Sequence, residues 1–271
     1  MLPTSSIGSA DLAAALTAGT VRVVDLTASL SHATPVLPLP PEMAPIPRFA
    51  LEPLAYYDDE GEISMQHGIH TGEHTGTHVD APIHWHSGRD LEDVASIAPE
   101  KLVAPAVVID RVAECTANPD YLLTRDDLLA WQETHGPLPA GGWLLYRTGW
   151  NERSHDQTAF INADENGPHT PGISVDCARY LAEETGMVGL GVETVGTDAG
   201  QAFRFDPPFP AHSFLLGSGR YGATQLQNLA ELPATGAVLI VAPLKIVGGT
   251  GSPARVLALV DAADDTNGEQ N

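Results

Sequence analysis

The sequence predicts a single α/β domain in which a mixed β-sheet is flanked by helices. Three observations carry this. Helical and strand-like segments alternate through the middle of the chain, two apolar strands follow one another near its end, and neither an internal repeat nor a linker divides the 271 residues. Residues 1–260 are therefore read as one domain. Residues 261–271, DAADDTNGEQN, are read as an acidic tail too polar to pack.

The elements follow from their punctuation. SADLAAALTAG predicts a short helix with Ser9 as N-cap, Asp11 in the first turn and Gly19 at the stop. VRVVDLT, residues 21–27, is a strand. The stretch ATPVLPLPPEMAPIPRF then excludes regular helix and central strand, because proline lacks the N–H donor. A long loop of this kind either covers a site or simply connects; residues 34–47 are the candidate cover, donated to the same subunit or across a dimer. APAVVID, residues 104–110, is a β-branched strand. LTRDDLLAWQETHG reads as a helix capped by Thr124, with Asp127 three residues on and Gly136 ending it. A strand is expected around 143–148, and SVDCARYLAEETG is a helix capped by Ser174 and stopped by Gly186. MVGLGVET returns as a strand, TQLQNLAEL is read as helix, and GAVLIVAPLKI and SPARVLALV close the domain as strands. GGTGSP, residues 248–253, lacks the Gly-Lys-Ser/Thr ending of a phosphate loop and is read as a turn between strands.

Composition narrows the function classes. The net charge of −22, from 13 basic and 35 acidic residues, would repel phosphate over most of the surface, so neither nucleic acid nor an anionic membrane is an expected partner. No apolar run reaches the ~18–20 residues of a membrane span, and the first residues lack a basic and apolar leader. Cys115 and Cys177 are the only cysteines, a usage that fits reduced, buried thiols in a cytoplasmic protein, although they could pair.

The chemistry concentrates in residues 67–86. His67, His70, His74, His78, His84 and His86 are six of the chain's eleven histidines. His74 and His78 would stand ~13 Å apart in an extended chain, too far for one ion bound at ~2.0–2.1 Å, so the intervening Thr-Gly-Thr must bend. Asp80 lies two residues beyond His78, on the same side of a strand. His74, His78 and Asp80 can thus offer three ligands to one ion and leave positions open for water and substrate. Zn²⁺, Mn²⁺ and Fe²⁺ all suit two imidazoles and a carboxylate. Val79, Ala81 and Ile83 would anchor the opposite face. His84 points back to the metal side but farther along, as a candidate acid/base or a hydrogen-bonding supporter. Among aromatic residues, Trp85, Tyr56, Tyr57, Phe203, Phe205 and Phe209 are candidate pocket walls, each with an alternative place in the core.

The string His74-Thr75-Gly76-Thr77-His78-Val79-Asp80-Ala81-Pro82-Ile83-His84 resembles the H-x-G-T-H-x-D-x-P-x-H signature of the cyclase family of metal-dependent hydrolases. VVDLT near the start, GVETVGTDAG at 191–200, AHSFLLG at 211–217 and APLKIVGGTGSPARVLALV near the end extend the resemblance over most of the chain. It implies a swivelling β/β/α-like fold, with His74, His78 and Asp80 as ligands and His84 as proton carrier. His212 matches a position that binds a second metal in formamidases or faces substrate elsewhere. Those formamidases carry a bridging glutamate about twelve residues later, where this chain has Thr224-Gln225. One ion is therefore expected, with Gln225 as a weak ligand. Glu193 stands where formamidases tend to have Asp. The context is more similar to the isatin hydrolase branch, which implies Mn²⁺, with Zn²⁺ as the alternative, and a homodimer or higher oligomer.

The resemblance implies hydrolysis of a cyclic amide, isatin to isatinate, with substrate contacts from His212, Trp85, Tyr57 and Phe209. Other readings remain open: hydrolysis of N-formylkynurenine or another lactam or imide, a polyketide cyclase using the ion as Lewis acid, or a metal-binding protein without turnover. An open coordination position speaks against the last, since structural zinc sites are normally closed by four ligands. Asp198 and Arg255 are charges that the sequence cannot place.

Overall fold

The structure, a computed structural model, describes residues 8–39, 44–57 and 63–262. Helix α1 (Ser9–Ala18) and strand β1 (Val21–Asp25) open the chain. The N-cap is Gly8 rather than Ser9, because the Asp11 carboxylate accepts the Gly8 N–H and so draws the boundary back one residue. Strands β2 (Ala50–Ala55) and β3 (Gln66–His70) form a separate antiparallel hairpin. Then come β4 (His78–Asp80), β5 (Val103–Asp110), helix α2 (Arg125–His135), β6 (Trp143–Arg147), helix α3 (Val175–Glu183), β7 (Gly189–Val192), β8 (Tyr221–Thr224), β9 (Ala237–Pro243) and β10 (Gly251–Asp261).

The main sheet runs β1-β10-β9-β5-β6-β7-β8-β4, and β4 pairs again with β10. That second pairing closes seven strands into a ring and leaves β1 on the outside of β10. Within this sheet β5, β6, β7 and β8 run parallel, each to the next, and the other pairings are antiparallel. The mixed sheet predicted from alternating and then consecutive strands is thus present, and it is barrel-like.

Period-two alternation explains how both faces fill. In β5, Ala104, Ala106 and Val108 enter one cluster with Val79, Val256 and Ala258, while Val107 and Ile109 enter another with Leu128, Trp131, Cys177 and Leu181. In β6, Trp143 and Leu145 face the first cluster, and Leu144 and Tyr146 the second. The first cluster fills the ring; the second lies beneath α2 and α3. Local punctuation held for α2, where Thr124 and Asp127 form a reciprocal capping box. Ser174 caps α3, but α3 ends at Glu183, short of Gly186, because the Thr185 hydroxyl donates to the Leu181 carbonyl and closes the last turn.

Residues 224–232 are not a helix. Gln225 and Asn228 have positive φ, and the N–H groups of Gln225, Leu226 and Gln227 donate to Thr194, Val192 and Leu26. These long-range bonds outcompete the helical ladder, and only Leu229–Glu231 makes a 3₁₀ turn. The last strand extends through Asp261, which pairs with Val21, so the supposed tail boundary falls one residue early. Residues 263–271 lie outside the described residues, as do 40–43 of the proline-rich stretch. The described remainder of that stretch contains no helix or strand.

Candidate metal centre

The ligand segment enters the ring through a bend. Gly76 has φ +68°, the left-handed turn that brings His74 back toward His78. The flanking threonines fix it. Thr75 donates to the Pro47 carbonyl, so the proline-rich stretch crosses the bend, and Thr77 donates to the Gln225 carbonyl while accepting from Ala28. A cavity of about 450 Å³ under that stretch, lined by Val36, Pro45, Ile46, Arg48 and Ile161, contains none of the site histidines.

From the bend the chain passes into β4, and His74, His78 and Asp80 bring ligand atoms within 4.8 Å of one another. His74 Nδ1 lies 2.8 Å from Asp80 Oδ1, and His78 Nε2 lies 3.3 Å from the same oxygen. Two glycines make the room. Asp80 pairs with Gly222 on β8 and with Gly251 on β10. A Cβ at Gly222 would lie 2.9 Å from Asp80 Oδ2, and one at Gly251 would lie 2.6 Å from His74 Cε1.

Burial alone would raise the Asp80 carboxyl, yet the charge of His78 and contacts with both imidazoles hold it well below the usual range. It is therefore an anion deep in the protein. His78 Nδ1 is 2.7 Å from the Gly76 carbonyl, which can only accept, so Nδ1 carries a proton, and Nε2 is the nitrogen whose lone pair an ion would take in place of the second ring proton. The Thr224 hydroxyl rests against the same ring at 3.0 and 3.2 Å. His78 Nε2 and the Asp80 oxygen call for positive charge between them, and two imidazoles with a carboxylate form a donor set that fits a divalent ion.

His84 reaches the site by a route the sequence did not show. Val79 and Ala81 are fully buried, and Ile83 packs against the core, but Pro82–His84 forms a 3₁₀ turn rather than continuing the strand. The turn stacks His84 on His74, with ring centroids 3.9 Å apart. Burial pushes the His84 pKa down to about 3, against the pull of Asp80. It is a neutral imidazole at neutral pH.

Beyond His84 stands an aromatic wall. His212 is 5.6 Å from His84 and 4.7 Å from Trp85, and Trp85 meets Phe209 edge-on at 5.5 Å, all between centroids. Phe209 holds φ +52°, a conformation rare for a bulky residue. Asp198 places His212: its carboxylate accepts the Ala211 and His212 N–H groups and lies 2.6 Å from His212 Nδ1. Burial lowers the His212 pKa, but this hydrogen bond and charge more than offset it, and the net shift is upward.

Several candidates go elsewhere. Tyr57 is exposed beside Tyr56, on the hairpin side of the chain. Phe203 packs under Arg204, and Phe205 lines a cavity with Asp120 and His169. Among the remaining histidines, His70 pairs with Glu52 on the hairpin. Arg255 pairs with Asp25. Glu193 accepts four hydrogen bonds from Thr148, Gly149 and Trp150, fixing that turn. Gln225 is buried, and its amide nitrogen has no partner among the described residues. Sequence reasoning missed Thr250, whose hydroxyl lies 2.9 Å from His74 Nε2, and Glu73 behind it. The tripeptide Gly249-Thr250-Gly251, set apart by its flanking glycines, was the available signal.

The comparisons agree with this geometry. The sequence model of the family described as putative cyclase matches residues 24–199. The isatin hydrolase of Roseibium aggregatum is 47% identical over 255 residues, covering 93% of this chain and 97% of that protein. The kynurenine formamidase of Salinibacter ruber is 30% identical over 211 residues, 76% of this chain and 84% of that one. A crystal structure of an isatin hydrolase bound to the product analogue thioisatinate superposes with a TM-score of 0.91 at 44% identity, covering 97% of this chain and 100% of that one. Likeness of that extent means that the chain belongs to the cyclase family of metal-dependent hydrolases.

Proposed function

We propose that the enzyme opens isatin to isatinate, hydrolysing its cyclic amide. The observation that carries this reading is His84, stacked on His74 yet outside the ligand set, between the metal centre and the aromatic wall. Similarity to isatin hydrolases over nearly the whole chain supports the substrate. A bound divalent ion would polarise the amide carbonyl and lower the pKa of water from 15.7 toward about 7. His74, His78 and Asp80 would hold it.

The chain's own residues do the rest. Trp85, Phe209 and His212 hold the planar ring beside His84. In hydrolysis the amide C–N bond breaks, the carbonyl carbon gains the water oxygen, and the nitrogen gains a proton. Neutral His84 accepts the proton of the attacking water. As a buried imidazolium it is a strong acid, and it returns that proton to the departing nitrogen. His212, whose pKa Asp198 raises, faces the carboxylate that the reaction creates.

We take Mn²⁺ as the working ion, with Zn²⁺ as the alternative, and one ion per chain. Thr224 and Gln225 offer no carboxylate to bridge a second, and Gln225 can serve only as a weak neutral ligand. Assembly as a homodimer is favoured by the hairpin of β2 and β3, which exposes Leu51, Leu54 and Ile69; light scattering giving a monomer mass would remove it. Both cysteines are free and buried, which suits a cytoplasmic enzyme.

The test of function is isatin absorbance followed with purified enzyme, beside N-formylkynurenine. Turnover of isatin should vanish with a chelator and return with Mn²⁺. A fully metallated enzyme that ignores isatin and cleaves the formamide would favour the formamidase reading, which the Salinibacter relative raises.

A further inference from the structure

The two imidazoles of the centre do not present the same nitrogen, and the reason lies in residues outside the ligand set. His78 is settled by the Gly76 carbonyl, which leaves Nε2 free. For His74 the deciding partner is a hydroxyl. Its Nε2 lies 2.9 Å from Thr250 Oγ1, and Thr250 Oγ1 donates to Glu73 Oε2 at 2.6 Å. A hydroxyl has one proton. Having given it to the carboxylate, Thr250 can only accept from His74, so Nε2 carries a hydrogen and Nδ1, 2.8 Å from Asp80 Oδ1, is the nitrogen left for an ion to take.

We propose that Glu73 and Thr250 are positioning residues that lock the tautomer and ring plane of His74, so that the ion is gripped by Nδ1 of His74 and Nε2 of His78. The proposal rests on the metal reading of the site and adds the device that orients it. The same Glu73 oxygen also accepts the Thr250 backbone N–H at 3.3 Å, so side chain and main chain are held together. The glycines on either side leave the space. A Cβ at Gly249 would lie 3.1 Å from Glu73 Oε1, and one at Gly251 would lie 3.0 Å from His74 Nδ1 and 2.5 Å from the Val79 carbonyl oxygen. Gly249-Thr250-Gly251 therefore works as a clamp on the ligand loop, far from it in sequence. A hydrogen-bonded carboxylate behind a ligating imidazole fixes its orientation and raises its basicity as a donor.

Two readouts test this. In zinc-loaded enzyme, long-range ¹H–¹⁵N spectra should show His74 protonated at Nε2 and coordinated through Nδ1, the reverse of His78. In chelator competition, Thr250→Val and Glu73→Gln should each weaken metal binding roughly 10–100-fold, while Thr250→Ser, which keeps the hydroxyl, stays near wild type. If Thr250→Val does not fold, Glu73→Gln and the spectrum of the unaltered enzyme still decide. His74 coordinated through Nε2, or variants that bind metal as tightly as wild type, would overturn the proposal. An unaltered enzyme that binds no metal would instead overturn the metal reading beneath it.

Discussion

Replacing His84 with alanine is expected to leave the ion bound and to lower kcat by roughly 10²–10⁴-fold, the usual worth of a positioned proton carrier. The expectation follows from where His84 sits. It stacks on a ligand without joining the ligand cluster, and burial keeps it neutral at neutral pH. Metal content and kcat must be measured together. Loss of the ion would make His84 a ligand, and unchanged turnover would mean that the proton travels another way. His84→Gln separates the roles further, since an amide can hold a water but cannot carry a proton through neutral pH.

Asp80→Asn is expected to have the larger effect on metal binding. An imidazole brings no negative charge, so Asp80 supplies the only one among the three ligands. Its carboxyl is held ionised well below the usual range, and Gly222 and Gly251 leave it room on both neighbouring strands. Asparagine fits that space and keeps an oxygen, so the change removes charge rather than shape. Chelator competition should show a loss exceeding the roughly 10–100-fold expected for a hydrogen-bonded supporter, and activity should fall with occupancy. Thermal melts of the metal-free proteins check the alternative: if Asp80→Asn simply unfolds the chain, the fold rather than the ion accounts for the loss.

Much of this was legible because it was local. The Thr124 and Ser174 caps, the apolar runs of β5, β6 and β7, and the bend demanded between His74 and His78 each depend on a few neighbouring residues. The misreadings share a different cause. Residues 224–232 have a helical composition, but the left-handed Gln225 and the bonds to Thr194, Val192 and Leu26 are set by strands distant in the chain. His84 reaches the site through a 3₁₀ turn at Pro82, although strand alternation pointed the same way for another reason. Thr250 is 176 residues from His74, and no spacing rule reaches that far. Asp198 became interpretable only when the ring of strands brought its loop under His212.

The most direct measurement is anomalous scattering at the manganese edge from crystals of the loaded enzyme, with metal content determined on the same sample. One ion per chain is expected, bonded to His74, His78 and Asp80, with at least one coordination position turned toward His84 and free of protein. An ion closed off by four protein groups, or bound anywhere else while these three side chains stay bare, would contradict it.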